Sequence, residues 1–124
     1  MEKIILISIG GAIGALSRYG ITVLSVGMFG DKFPIGTLFV NLLGCFLVGI
    51  SFALGSEKGI ISPHMRFFIV TGFLGALTTF SAFGIDSINL SMNGMTDKAL
   101  INIFLNNVGG LFMVFLGLFL GRII

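Results

Sequence analysis

The sequence predicts an all-α membrane protein with four spanning helices in a single domain, residues 1–124, and three observations carry that class. Only twelve residues are charged (seven Lys or Arg, five Asp or Glu), against a hydrophobic fraction of 56%. A soluble domain gives roughly a quarter of its residues to charge, so this chain cannot cover itself with a water-facing surface. The apolar residues also gather into four stretches, Ile4–Gly27, Ile35–Gly55, Phe67–Met92 and Ala99–Gly121. Each matches the ~20 residues needed to cross the hydrocarbon core. Finally, both prolines and nearly all the charges lie between these stretches or at their ends. The single cysteine, Cys45, excludes an intrachain disulfide. The net charge of +2, with no run of Lys or Arg, excludes a nucleic-acid surface.

The first stretch is too long for a signal peptide, and three like it follow. It carries Arg18 fourteen residues in, about 21 Å along a helix and past the midplane. Charge at that depth costs roughly 2.5–3.5 kcal/mol on insertion scales. Arg18 either snorkels to the far interface or serves as a fixed positive charge that draws an anion inward. Gly10 and Gly14 form a small-residue face that suits close helix packing, within the chain or against copies of it.

Asp31-Lys32-Phe33-Pro34 leads into the second span, which has no charge but carries Asn41, with Thr37 one turn earlier on the same face. An amide in lipid needs a partner. Its NH2 group can donate to an anion or to a neighbouring helix.

The third span is the unusual one. Gly72, Gly75 and Gly84 punctuate it, and Thr78, Thr79 and Ser81 crowd three hydroxyls into four positions. This composition predicts a helix broken at mid-depth, an arrangement tolerated in a membrane only where protein or a water-filled cavity satisfies the freed backbone. Bare carbonyls at such a break suit a cation such as Na+. Phe80 and Phe83 follow at i, i+3 on one face, and their electropositive ring edges can lie against an anion. Asp86, near the end of the span, is expected at the interface.

The fourth span repeats part of the second: Phe39-x-Asn41-x-x-Gly44 is echoed by Phe104-x-Asn106-x-x-Gly109. Asn102 lies one turn before Asn106, which gives this span an amide face of its own, and Gly117 and Gly121 form a second close-packing face. Lys3, Lys58, Arg66 and Arg122 flank the side that holds both termini, against Lys32 and Lys98 on the other. That bias toward cytoplasmic termini is small enough for both orientations to be populated.

These residues resemble a known family. Gly-Ala-Leu-Ser-Arg-Tyr at 14–19, Gly-Thr-Leu-Phe-Val-Asn-Leu-Leu-Gly at 36–44 and Gly-Phe-Leu-Gly-Ala-Leu-Thr-Thr-Phe-Ser-Ala-Phe at 72–83 are similar to the Fluc (CrcB-type) fluoride channels. The resemblance covers nearly the whole chain. It implies a multi-pass protein of a prokaryotic plasma or inner membrane, not an enzyme, that exports fluoride down its electrochemical gradient and confers fluoride resistance. It also implies an antiparallel, dual-topology homodimer with two anion pores and a structural, untransported Na+ at its centre. By resemblance, the Na+ ligands are the backbone carbonyls of Gly75 and Thr78. The anion pathway comprises Asn41, Phe80 and Phe83, with Thr37, Ser81, Asn106 and Arg18 beside them. Relatives place hydroxyls on the fourth span, whereas residues 98–124 contain no Ser, Thr or Tyr; Asn102, Asn106 or Asn107 must substitute. Two rival readings are a small multidrug-type proton-coupled exporter and a non-transporting assembly subunit. The exporter needs a membrane-embedded carboxylate in the first span, and none is present there.

Overall fold

A computed structural model describes residues 1–124. It is all-helical, with no strand, and four of its helical segments are long and apolar enough to cross a membrane. They comprise α1 (Glu2–Phe29), α2 (Ile35–Glu57), the pair α3 (63–77) and α4 (Phe80–Met92), and α5 (Thr96–Ile123). The helices run past the apolar stretches at several ends, because the first polar turn on each side still satisfies its backbone best as helix.

Local signals set these ends. Gly30 at φ 81° closes α1, its N–H bonding the Val26 carbonyl at 2.8 Å. A left-handed residue of this kind is the usual use of glycine after a helix. Pro63 occupies the first turn of α3, where Ser62 accepts the Met65 N–H on its side chain at 3.2 Å. Gly94 at φ 78° turns the chain from α4 into α5, with the Met95 N–H bonded to the Leu90 carbonyl at 2.9 Å.

Glycines decide how the helices approach. A Cβ at Gly10 or Gly14 would collide with the carbonyls of Phe68 and Phe73, so these residues let α1 lie directly on α3. Gly117 likewise rests on the Phe46 carbonyl, and Gly121 on Ile50 and Ala53. Leu42 lies beside Gly109, Cys45 beside Gly110 and Ala53 beside Gly121, so α2 and α5 run parallel in a steady register. Both small-residue faces are therefore consumed within one chain, because each finds a carbonyl-lined groove on a neighbouring helix. Neither is left for a second copy, which corrects the expectation that they also serve contacts between copies.

Val40, Leu74 and Leu77 form the buried core where α2 meets α3, with Ile21, Leu47 and Phe73 packed around them. Only 21 of 124 residues are buried, which fits a bundle whose outer apolar faces meet lipid rather than protein. Three π-helical stretches, Ala53–Glu57, Phe67–Leu74 and Leu105–Gly109, widen α2, α3 and α5 locally. No sequence signal foretold them.

Candidate ion pathway

The backbone leaves helical geometry at Thr78 (φ −82°, ψ 152°) and Thr79 (φ −152°, ψ 121°), between α3 and α4. In a continuous helix the Thr79 N–H would bond the Gly75 carbonyl. Here it donates instead to Asn41 Oδ1 at 2.7 Å, while Asn41 Nδ2 donates back to the Thr79 carbonyl at 3.0 Å. The side chain of α2 thus pairs with both backbone groups of one residue of the interruption, as a neighbouring strand would. Thr79 also starts α4, accepting the Ala82 N–H on its hydroxyl at 3.1 Å. Gly44 lies against the Thr78 methyl, where a Cβ would collide.

The second proton of Asn41 Nδ2 goes to Asn106 Oδ1 at 2.9 Å, joining α2 to α5. Asn106 Nδ2 donates in turn to Asn102, to its carbonyl at 2.9 Å and its Oδ1 at 3.0 Å. Asn102 is fully buried and donates from Nδ2 to Ser87 Oγ at 2.9 Å. The Ser87 hydroxyl donates to the Phe83 carbonyl at 2.8 Å. No buried side-chain polar atom is left without a partner.

Phe80 and Phe83 meet edge to face, with ring centroids 5.1 Å apart and planes at 68°. Phe83 is buried, whereas Phe80 is 78% exposed. Both rings, Asn41, Thr79 and Asn106 line one open cleft of about 290 Å³, completed by Asn107 and the apolar Val48 and Val114. Donors and ring edges therefore share a space beside the interrupted helix.

This arrangement can be set beside known proteins. The model of the family described as CrcB-like protein, Camphor Resistance (CrcB) matches residues 5–118. The chain belongs to the CrcB-like family. A Dehalococcoides mccartyi protein named "Fluoride-specific ion channel FluC" is 43% identical over 124 residues, covering all of this chain and 95% of that one. Proteins of the same name from Shewanella frigidimarina and Shewanella piezotolerans are 46% and 44% identical over 117 residues, each covering 94% of both chains. The CrcB-like chain is thus a multi-pass membrane protein.

Within this CrcB-like chain the site residues expected from sequence fall into three groups. Asn41, Phe80, Phe83 and Asn106 come together in the cleft, and the Ser81 hydroxyl reaches it through the Thr79 hydroxyl at 3.2 Å. Thr37 does not join them. It is buried in a separate cleft with Thr22, Ser25, Asp31 and Asp86, because the turn of α2 that separates it from Asn41 carries it toward the loop that closes α1. Arg18 is half-buried on α1, forms no ion pair and lines neither cleft. Asp86 shares a cleft with the loop residues Asp31, Lys32 and Asn93, at one end of the bundle.

No group of three His, Cys, Asp or Glu side chains is placed to hold a metal, so a cation here would rest on carbonyl oxygens. The diverted Thr79 N–H leaves the Gly75 carbonyl without that helical donor, and Gly75 is exposed on the chain's surface. A carbonyl freed in this way suits a hard monovalent cation.

Sequence reasoning missed Ser87 and the double role of Thr79. Ser87 looked like an ordinary helical serine, and only its i+4 spacing from Phe83 hinted at a back-bond. The cap was available in principle: Thr79 stands three residues before the Ala82 N–H that it satisfies, just where the glycine-rich helix ends.

Proposed function

We propose that this chain is the subunit of a fluoride-selective channel that exports fluoride down its electrochemical gradient and so confers fluoride resistance. It is a channel, not an enzyme. The observation that carries this reading is the meeting of the Asn41 amide with the Phe80–Phe83 pair in one cleft, in a CrcB-like chain whose relatives bear the name of fluoride-specific channels.

Fluoride is small and strongly hydrated, so a pathway must replace its water with strong donors. Asn41 supplies an amide N–H, and Thr79 and Ser81 supply hydroxyls; Asn106, whose Nδ2 protons are both taken by Asn102, acts through its bond to Asn41. The phenylalanine edges give a weaker, polarised wall against which the ion binds without being trapped. Larger anions fit these donors less well and are excluded by bore. Thr37 and Arg18, away from the cleft, act at the approaches to the pathway.

The working unit is an antiparallel, dual-topology homodimer with two pores, in which the third span is a helix broken at mid-membrane. Support comes from Phe80, which presents most of its ring outward on an isolated chain, and from a cleft open on one side. A second copy would supply the missing wall. A structural Na+ at the centre of the dimer would be held by the carbonyls of Gly75 and Thr78 from both copies. When bound, it would hold the two interrupted helices together by charge. The small charge difference between the two faces supports insertion in both orientations.

The test is anion efflux from liposomes containing the purified protein, with fluoride and chloride measured separately at fixed potential. Rapid fluoride efflux with negligible chloride leak is the expected result. Folded, dimeric protein in Na+ that passes neither anion overturns the channel reading.

A further inference from the structure

The amides of the cleft are locked in one sense, and the lock can be derived from its ends. The Phe83 carbonyl can only accept, so the Ser87 hydroxyl must spend its one proton there. Ser87 Oγ is then left to accept from Asn102 Nδ2, which turns Asn102 Oδ1 toward Asn106. Asn106 must therefore direct both protons of Nδ2 at Asn102 and its Oδ1 at Asn41. At the other end the Thr79 N–H can only donate, which fixes Asn41 Oδ1 toward it and Asn41 Nδ2 toward Asn106. Both ends demand the same direction, and chains of aligned bonds reinforce one another.

A consequence follows for the anion. Asn41 has two N–H protons, and both are already engaged: one holds the Thr79 carbonyl, the other faces Asn106 Oδ1. Asn106 has none to spare. Resting on the fluoride-channel reading above, we propose that Asn106 Oδ1 is an internal stand-in for the anion. A permeating fluoride must displace this oxygen from the second N–H of Asn41, while the Thr79 backbone keeps Asn41 in place. Asn106 is thus a specificity-determining residue. An anion that accepts a hydrogen bond more strongly than a carboxamide oxygen wins the proton, and a weak acceptor such as chloride does not. Because displacement costs one internal bond, the ion is held less tightly and leaves more readily.

The experiment uses full-length protein in Na+-containing liposomes, with fluoride efflux measured over a range of fluoride concentrations for wild type, Asn106→Ala and Asn106→Leu. Leucine keeps the branched shape of asparagine and has no acceptor, so it serves if alanine loosens the fold. Without the competing oxygen the half-saturating fluoride concentration should fall about three- to tenfold, the weight of one neutral hydrogen bond. Saturated flux should drop with it. A structural role alone would lower flux without lowering that concentration. In parallel, the side-chain amide protons of Asn41 are followed by NMR during titration with sodium fluoride, using sodium chloride as control. One of the two protons should shift with fluoride and remain still with chloride. If fluoride crosses but half-saturation does not fall in either folded variant and neither Asn41 proton moves, the stand-in is overturned and the channel reading stands. A protein whose Asn41 proton responds to fluoride but which passes no fluoride overturns the channel reading and keeps the displacement.

Discussion

Replacing Asn41 by alanine should remove fluoride flux and also weaken the fold. The structure gives a size to the second effect. Asn41 makes three hydrogen bonds that close gaps between helices: two to the Thr79 backbone N–H and C=O and one to Asn106 Oδ1. Thr79 is only 8% exposed, so water cannot fully replace the lost partner. Interhelical hydrogen bonds in membrane proteins average about 0.6 kcal/mol, which sets a floor of about 2 kcal/mol for the three together. Orphaned buried groups cost about 1–3 kcal/mol each in water-soluble proteins, which raises the expectation toward 4 kcal/mol. Reversible unfolding in mixed detergent micelles would read this loss directly. Phe80→Ile is the informative partner, because Phe80 is 78% exposed and closes no gap within the chain. It should abolish flux and leave the stability of the chain unchanged. If Asn41→Ala unfolds within about 0.5 kcal/mol of wild type, the size of an ordinary surface substitution, then Asn41 does not latch the interruption.

Other outcomes follow from particular contacts. Gly117→Val should destabilise the protein by at least about 3 kcal/mol, the upper range for overpacking a tight seam, since even a Cβ there meets the Phe46 carbonyl; Gly84→Ala, with nothing within 4 Å of its added carbon, should be neutral, and thermal denaturation in detergent compares the two. Asn102→Leu should lower stability by roughly 1–3 kcal/mol and reduce flux, because Asn106 and Ser87 both lose their partner on a fully buried residue. Removing Na+ from both sides of the membrane should silence fluoride efflux, and unchanged efflux in its complete absence would rule out the carbonyl-held cation.

The sequence made the four helices legible because hydropathy and connector chemistry act locally: a long apolar run flanked by Asp31–Pro34 or by Pro63 has few alternatives to a spanning helix. The interruption at Thr78 and Thr79 was also readable, as three hydroxyls among glycines. Its closure was not. Nothing near Asn41 in sequence indicates that its amide pairs with a peptide 38 residues away. The Phe-x-Asn-x-x-Gly echo came nearest, since the two asparagines that it aligns are the two that touch. The glycine faces were read correctly as contact surfaces but assigned partly to other copies, because periodicity shows which face is small and not which groove receives it. Helical spacing and the family resemblance both set Thr37 beside Asn41. Spacing fixes a face but not depth, and one turn was enough to move it into another cleft.

What holds the cleft in shape is the register between α2 and α5. Asn41 meets Asn106, and Glu57 meets Arg122 through two hydrogen bonds; both pairs are separated by 65 residues. The interval between the two contacts is then the same on each helix, 57 − 41 and 122 − 106, or 16 residues. A regular helix of that length rises about 24 Å, and a single π-type turn on one helix alone would throw the far contact out of register. A five-residue π stretch sits at one end of each interval, Ala53–Glu57 closing it on α2 and Leu105–Gly109 opening it on α5, with Leu105 just outside. The irregularities match, so the helices stay in step from the amides to the ion pair, with Gly49 and Gly117 sealing the seam between. The widened turn on α5 falls on Asn106 itself, where re-phasing the helix alters the direction in which a side chain points. The seam therefore does two things at once: it keeps α2 and α5 in contact along their length, and it delivers the Asn106 oxygen to the one N–H of Asn41 that the interrupted helix leaves available.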